Sequence, residues 1–292
     1  MNDEYSVFPK EAFAPLGEVA NNLIDKVSNA IGYVYIPKGK RKDRNDAVEY
    51  LIKEIKENKD MPRLAKAAAI SNARKIIREY SNKNDILTIA IEHLSKDSKI
   101  DRLENDWLNN FFDKAGGISD KDVQILFGKI LAEECANPGC VSKSLINILA
   151  IMDSGSAEAF RKLRNYIFTV IDAESINEKY VVMIPSVSAM NMKEIDVMFD
   201  DIVELTRLGL IEYLVIGQYS NDFGEVILKY AEKSIKIMPK DKGLPLGAVN
   251  LTRVGQELAS LLVMEMPDYK YYDNIIRYWE EKGVDVIKDF NV

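Results

Sequence analysis

Apolar residues recur every three or four positions along most of the first 170 residues, the period of amphipathic helices rather than of strands. Leu16, Val19, Ala20, Leu23, Val27, Ala30 and Ile31 mark the first such face. The stretch from Ile31 to Pro37 breaks the period, because proline biases the preceding residue away from helical angles. Val48, Leu51, Ile52 and Ile55 predict a second helix from Asp46 to about Asn58. Met61-Pro62 marks a restart, since proline is tolerated in a first turn, and the alanine-rich, basic stretch Arg63 to Tyr80 favours helix. Asn84 is placed to cap a further short helix carrying Ile86, Leu87, Ala90, Ile91 and His93.

The middle of the chain is patterned most strongly. Trp107, Leu108, Phe111, Phe112 and Ala115 form one helical face, and Gly116-Gly117 ends it. Ser119, three residues before Asp122, reads as an acidic capping box opening the stripe Val123, Leu126, Phe127, Ile130 and Leu131. Asn137-Pro138-Gly139 is a turn, and Ser142 is the expected N-cap of a helix with Leu145, Ile148 and Leu149 inward. A last helix is expected from Ser156 to Ile171 through Phe160, Leu163, Ile167 and Phe168. Short loops between such helices predict helical hairpins.

After Ile171 the pattern changes. Tyr180 to Pro185 reads as a buried strand, and Ile195, Met198, Phe199, Ile202, Leu205 and Leu208 as a helix ending at Leu208-Gly209-Leu210-Ile211. Ser234–Pro239 and Gly247–Asn250 read as two strands leading into Leu251-Thr252-x-x-Gly255-x-Glu257-Leu258, and Val284–Ile287 as a last short strand. That order resembles a winged-helix domain. The expected fold is therefore mainly α, a helical bundle with a small α+β winged-helix-like C-terminal domain. Its expected segments are an arm, amphipathic helix and basic run (1–45), a helical domain (46–172) and the winged-helix-like domain (173–292). Asp196, Asp200, Asp201 and Glu204 crowd the helix that would read DNA, so packing or dimerisation is its expected use.

Composition narrows the chemistry. At 47% hydrophobic and 29% charged residues over 292 positions, the chain can bury a sizeable core. No apolar run of about 18 residues occurs, which places the protein in the cytoplasm as an expectation, with Cys135 and Cys140 as reduced thiols. One histidine, His93, excludes a His-rich zinc site, and no phosphate-binding glycine loop or nucleophile elbow is present. No catalytic residue, metal or cofactor is expected. The formal charge of −7 hides a polarity: Ile36 to Lys83 holds 14 Lys/Arg against 7 Asp/Glu. Lys38, Lys40, Arg41, Lys42 and Arg44 are the candidate anion contacts within it.

The residues Asp106-Trp107-Leu108, Phe111-Phe112, Ala115, Ile118-Ser119-Asp120, Gln124, Lys129 to Ala132, Glu134, Pro138-Gly139 and Ser142 resemble the hallmark segment of an uncharacterised bacterial family, domain of unknown function 2806. Ser28 to Lys42 is similar to its N-terminal motif, and Leu251-Thr252…Gly255…Glu257-Leu258 to its C-terminal end. Phe127, Lys129 and Cys140 depart from the family's Trp, Arg and Ser. The resemblance implies a fold and a bacterial or phage origin but no activity. The expectation is a noncatalytic interaction or scaffold protein that binds itself or another protein, in an antiphage-defence or regulatory setting. Trp107, Phe111, Tyr271, Tyr272 and Trp279 are its candidate interaction surface, although the aromatic tail from Asp268 also reads as packing, because only Lys270 and Arg277 accompany it as basic residues. The alternative is a nucleic-acid-binding regulator using the basic 38–44 run and the winged-helix-like module; a third reading docks the N-terminal helix on a membrane surface.

Overall fold

The computed structural model describes residues 17–36, 41–171, 179–185, 195–220, 226–238 and 244–288, the side chains of 41–45, 47–48 and 215–220 excepted. It is mainly helical with a smaller antiparallel sheet region, and it divides into two compact units, Met1–Ala150 and Ile151–Val292. None of its described helices is long and apolar enough to cross a membrane.

The first unit holds α1 (Gly17–Ile31), α2 (Arg41–Glu57), α3 (Arg63–Glu92), α4 (Asn105–Ala115), α5 (Lys121–Ala136) and α6 (Lys143–Ile151), the last crossing into the second unit by one residue. The apolar face of α1, with Ala20, Leu23, Ile24 and Val27, is buried and packs on α4. That face is therefore covered by the chain itself rather than offered to a lipid surface. The α3 helix runs unbroken through Asn84, where a new helix start was expected. Asn84 is fully buried; its carboxamide oxygen accepts from Ile36 N (2.9 Å) and Tyr33 Oη (3.1 Å), and its Nδ2 donates to Ile36 O (2.9 Å). A mid-helix asparagine satisfied from outside has no reason to end the helix. Close packing of α3 on α5 depends on Gly128, whose absent Cβ would sit 2.5 Å from the Ile89 side chain.

Helix starts follow capping chemistry with one shift. Asp120, rather than Ser119, caps α5, its carboxylate accepting from Asp122 N and Val123 N. Ser119 is engaged elsewhere, by Asn82 Nδ2 at 3.2 Å. Ser142 caps α6 as expected, accepting from Leu145 N at 3.1 Å.

The second unit contains α7 (Ser154–Arg164), β1 (Ile167–Ile171), β2 (Lys179–Val182), α8 (Phe199–Arg207), β3 (Ile211–Ser220), β4 (Val226–Tyr230), β5 (Lys233–Met238), β6 (Leu244–Leu251), α9 (Arg253–Leu261), α10 (Tyr269–Glu281) and β7 (Asp285–Ile287). A five-stranded sheet has the order β2-β1-β4-β5-β7, and β3 pairs with β6 in a separate two-stranded sheet. All named pairings are antiparallel. The helix expected to reach Ile171 stops at Arg164, and Ile167–Ile171 becomes a central strand. The spacing of Phe160, Leu163 and Ile167 carries the helical period forward, but the Ile-Phe-Thr-Val-Ile run is made of β-formers and has strands on both sides to pair with. The two strands read from sequence as neighbours, β5 and β6, lie in different sheets.

The aromatic residues expected at an interaction surface lie in the cores instead. Trp107, Phe111, Tyr271, Tyr272 and Trp279 are each 5% exposed or less. In the first unit, Trp107 stacks on Phe111, which meets Phe112 edge to face. In the second, α10 lays Tyr271, Tyr272 and Trp279 around Phe168 of β1. Burial removes these rings from any partner, because the chain's own apolar atoms already occupy their faces.

Candidate functional site

Most polar residues of the hallmark segment are engaged in structural hydrogen bonds or ion pairs, Lys129 remaining exposed. Trp107 Nε1 donates to Val141 O (2.8 Å), Lys143 is paired with Asp106, and buried Gln124 donates from Nε2 to Ile118 O (2.8 Å) and Asn82 Oδ1 (3.1 Å). Buried Glu134 closes the Asn137–Val141 turn, its carboxylate accepting from Gly139 N (2.6 Å), Val141 N (2.9 Å) and the Cys140 thiol (3.6 Å). Desolvation raises the Glu134 carboxyl above the usual range, opposed by these hydrogen bonds. Cys140 thus acts as a hydrogen-bond donor to this turn, and buried Phe127 meets Phe111 at 5.4 Å.

The surroundings also decide what the cysteines can do, Cys135 being buried and Cys140 exposed at the surface. Both are free thiols, and desolvation, aided by nearby Glu134, pushes Cys135 and Cys140 up to about 12. A thiol of that kind is a poor nucleophile at neutral pH, since the thiolate is the reactive form. His93 sits at the C-cap of α3 with Nδ1 against Ile89 O at 2.8 Å. Among the described residues, no group of three or more His, Cys, Asp or Glu is placed to hold a metal ion.

A surface with a consistent chemistry lies on the N-terminal half of α3. Pro62 starts this helix and Ala67-Ala68-Ala69 and Ala73 favour it over the 16 residues from Arg63 to Arg78. Ala67, Ile70, Ser71, Arg74, Lys75 and Arg78, spaced three, four, seven, eight and eleven residues from the first, share one face and line an open groove of about 540 Å³. Arg74, Lys75 and Arg78 are exposed. Lys75 reaches Glu79 at 3.7 Å, whereas Arg74 and Arg78 have no carboxylate partner among the described residues. Lys66 is used structurally, its Nζ donating to Lys56 O (3.0 Å) at the end of α2, where carbonyls lack helical partners. From Arg63 to Lys83 there are six Lys/Arg and one Glu.

The charge total does not oppose an anion here. The first unit holds 23 Lys/Arg and 23 Asp/Glu, while the second holds 16 and 23, so the whole −7 belongs to the second. Screening over about 10 Å at 0.1 M salt keeps the α3 face a local field.

Of the residues expected to contact anions, Lys38 and Lys40 lie outside the described residues, and Arg41, Lys42 and Arg44 fall in the first turn of α2 with side chains outside the description. The cations that the structure does gather, Arg74, Lys75 and Arg78, were legible as a face. Arginines four residues apart among alanines, on a helix already expected, carry that signal.

The acidic residues of α8 are partly spoken for. Glu204 accepts from Ser156 Oγ (3.0 Å) on α7 and from Arg207 (2.6 Å), and the Arg207 hydrogen bond holds its carboxyl below the ordinary value. Asp201 accepts from Met198 N at 2.8 Å.

The family model for a protein of unknown function (DUF2806) matches residues 71–276, more than two thirds of the chain, and spans the end of the α3 groove, the hallmark segment and the Leu251–Leu258 motif. No curated protein and no solved structure matches the chain. The chain therefore belongs to the family described as protein of unknown function (DUF2806).

Proposed function

We propose that this chain is a noncatalytic nucleic-acid-binding protein that holds the phosphate backbone on the outer face of α3. The observation that carries the reading is the exposed row Arg74, Lys75 and Arg78 along one groove, with two guanidinium groups unpaired among the described residues. Arginine presents a planar fork matched to phosphate oxygens, and binding there releases condensed counterions. Anisotropy titrations with a labelled duplex and its single strand test this. With three phosphates neutralised, affinity for at least one of them should fall about 40-fold between about 50 and 200 mM salt. The Arg74→Ala/Arg78→Ala protein, left with one contact, should lose only about fourfold over the same range. A salt response identical in the two proteins would overturn the reading.

The second unit supports a separate, assembling role. The elements α8, β3, β6 and α9, with β4 and β5 running out into the five-stranded sheet between the paired strands, are winged-helix-like in our reading, with α8 used for packing, because Asp200 and Asp201 at its start repel a phosphate backbone. Met198, Phe199 and Val203 are 61%, 48% and 50% exposed, and the last two lie one turn apart on α8. Self-association through this face predicts a mass that rises with concentration in light scattering and returns to the monomer value in Phe199→Ser/Val203→Ser. A strictly monomeric native chain would end that reading.

A further inference from the structure

The exposed half of α3 has features that a phosphate contact alone does not need. Between Arg63 and Arg78 only the positions Lys66, Ala69, Ile70, Ala73 and Ile77 are half-covered, so most of the circumference is open over about 24 Å of helix. Beside the cations stand Ser71 and Asn72, both exposed and without a hydrogen bond among the described residues. Serine and asparagine side chains donate and accept on base edges, and asparagine pairs in bidentate fashion with adenine.

Resting on the nucleic-acid reading above, we infer that α3 is a groove-entering helix for double-stranded DNA, with Arg74 and Arg78 on phosphates and Asn72 on base edges. Helix width decides between duplexes: a helix with side chains is about 10–12 Å across and the major groove of B-form DNA about 12 Å wide. The deep, narrow major groove of an RNA duplex does not admit it. Single strands are held largely by stacking on aromatic rings, and no aromatic side chain is among the described residues lining this groove.

The test compares a 20-base-pair DNA duplex, the RNA duplex of the same sequence and the DNA single strand at one salt concentration. The full chain, Arg74→Ala/Arg78→Ala and Asn72→Ala are used, each with thermal melting to show an unchanged fold. The DNA duplex should bind at least about tenfold tighter than the other two, and the double arginine variant should lose at least about tenfold on it. Selection from random duplexes should enrich a motif containing adenine for the native chain, and Asn72→Ala should lose that enrichment while keeping the salt response. Equal, salt-sensitive binding to all three nucleic acids would overturn the groove inference and leave the phosphate reading standing. No binding to any of them would overturn both.

Discussion

Replacing Gly255 by alanine should destabilise the second unit by about 2–4 kcal/mol, read as a fall in the denaturation midpoint with the denaturant slope unchanged. A Cβ at this position would lie 2.0 Å from Leu210 O and 3.1 Å from Leu210 C, both backbone atoms that no rotamer change can move aside. The same carbonyl accepts from Thr252 N and Thr252 Oγ1, each at 3.1 Å. Pushing α9 away therefore also strains its N-cap, where Thr252 Oγ1 accepts from Gly255 N at 3.1 Å. Overpacking accounts for about 1–3 kcal/mol and a disturbed cap for about 1 more. Gly155→Ala is the matching control, because its added Cβ would meet only Asp153 Oδ1, at 3.4 Å. An equal loss in the two variants would show that the close approach is not what Gly255 provides.

Trp279→Ala should lower stability by about 3–5 kcal/mol, a large part of the roughly 5–15 kcal/mol that holds a domain together. Trp279 is fully buried, stands 5.5 Å from Phe168 edge to face, and donates from Nε1 to Pro245 O at 3.0 Å. It therefore links α10 to a strand of each sheet. Trp279→Phe separates the two contributions: retained ring area with a lost donor should cost about 1–2 kcal/mol. In thermal melts the alanine variant should fall on the order of 10 °C and the phenylalanine variant much less. If both fell equally, the hydrogen bond rather than the buried area would dominate.

The Gly255 geometry also explains a sequence motif in physical terms. Leu208-Gly209-Leu210 ends α8, with Gly209 in the left-handed region at φ 72°, and presents two carbonyls to the start of α9. Thr252 Oγ1 reaches Gly209 O at 2.7 Å and Leu210 O at 3.1 Å. Glycine at 255 is what allows the chains to meet there. The two halves of the pattern read from sequence are thus one contact.

Several residues show where sequence reasoning succeeded and why it failed elsewhere. Ser142 was legible as a cap because its partner lies three residues away, so the interaction is local. Asn84 was misread as a cap because its partners are Ile36 and Tyr33, about fifty residues distant. The strand at Ile167–Ile171 was misread for a related reason: its apolar spacing suits either period, and its two neighbouring strands decide between them. Trp107 and Trp279 were correctly seen as large apolar anchors, but composition does not distinguish an anchor for a partner from one for the chain's own core.

The family, the mainly helical character, the positions of most helices and the polarity of charge along the chain follow from the order of the residues alone. Those properties are written in local spacing and in counts, which survive without knowledge of what packs on what. That Gln124 and Glu134 of the hallmark segment close a buried network and a turn, that the aromatic anchors are spent internally, and that Arg74, Lys75 and Arg78 remain exposed emerges from the packed fold alone. The reason is that burial and pairing are set by residues far apart in the chain, and whether a charge is free to meet a ligand depends on both.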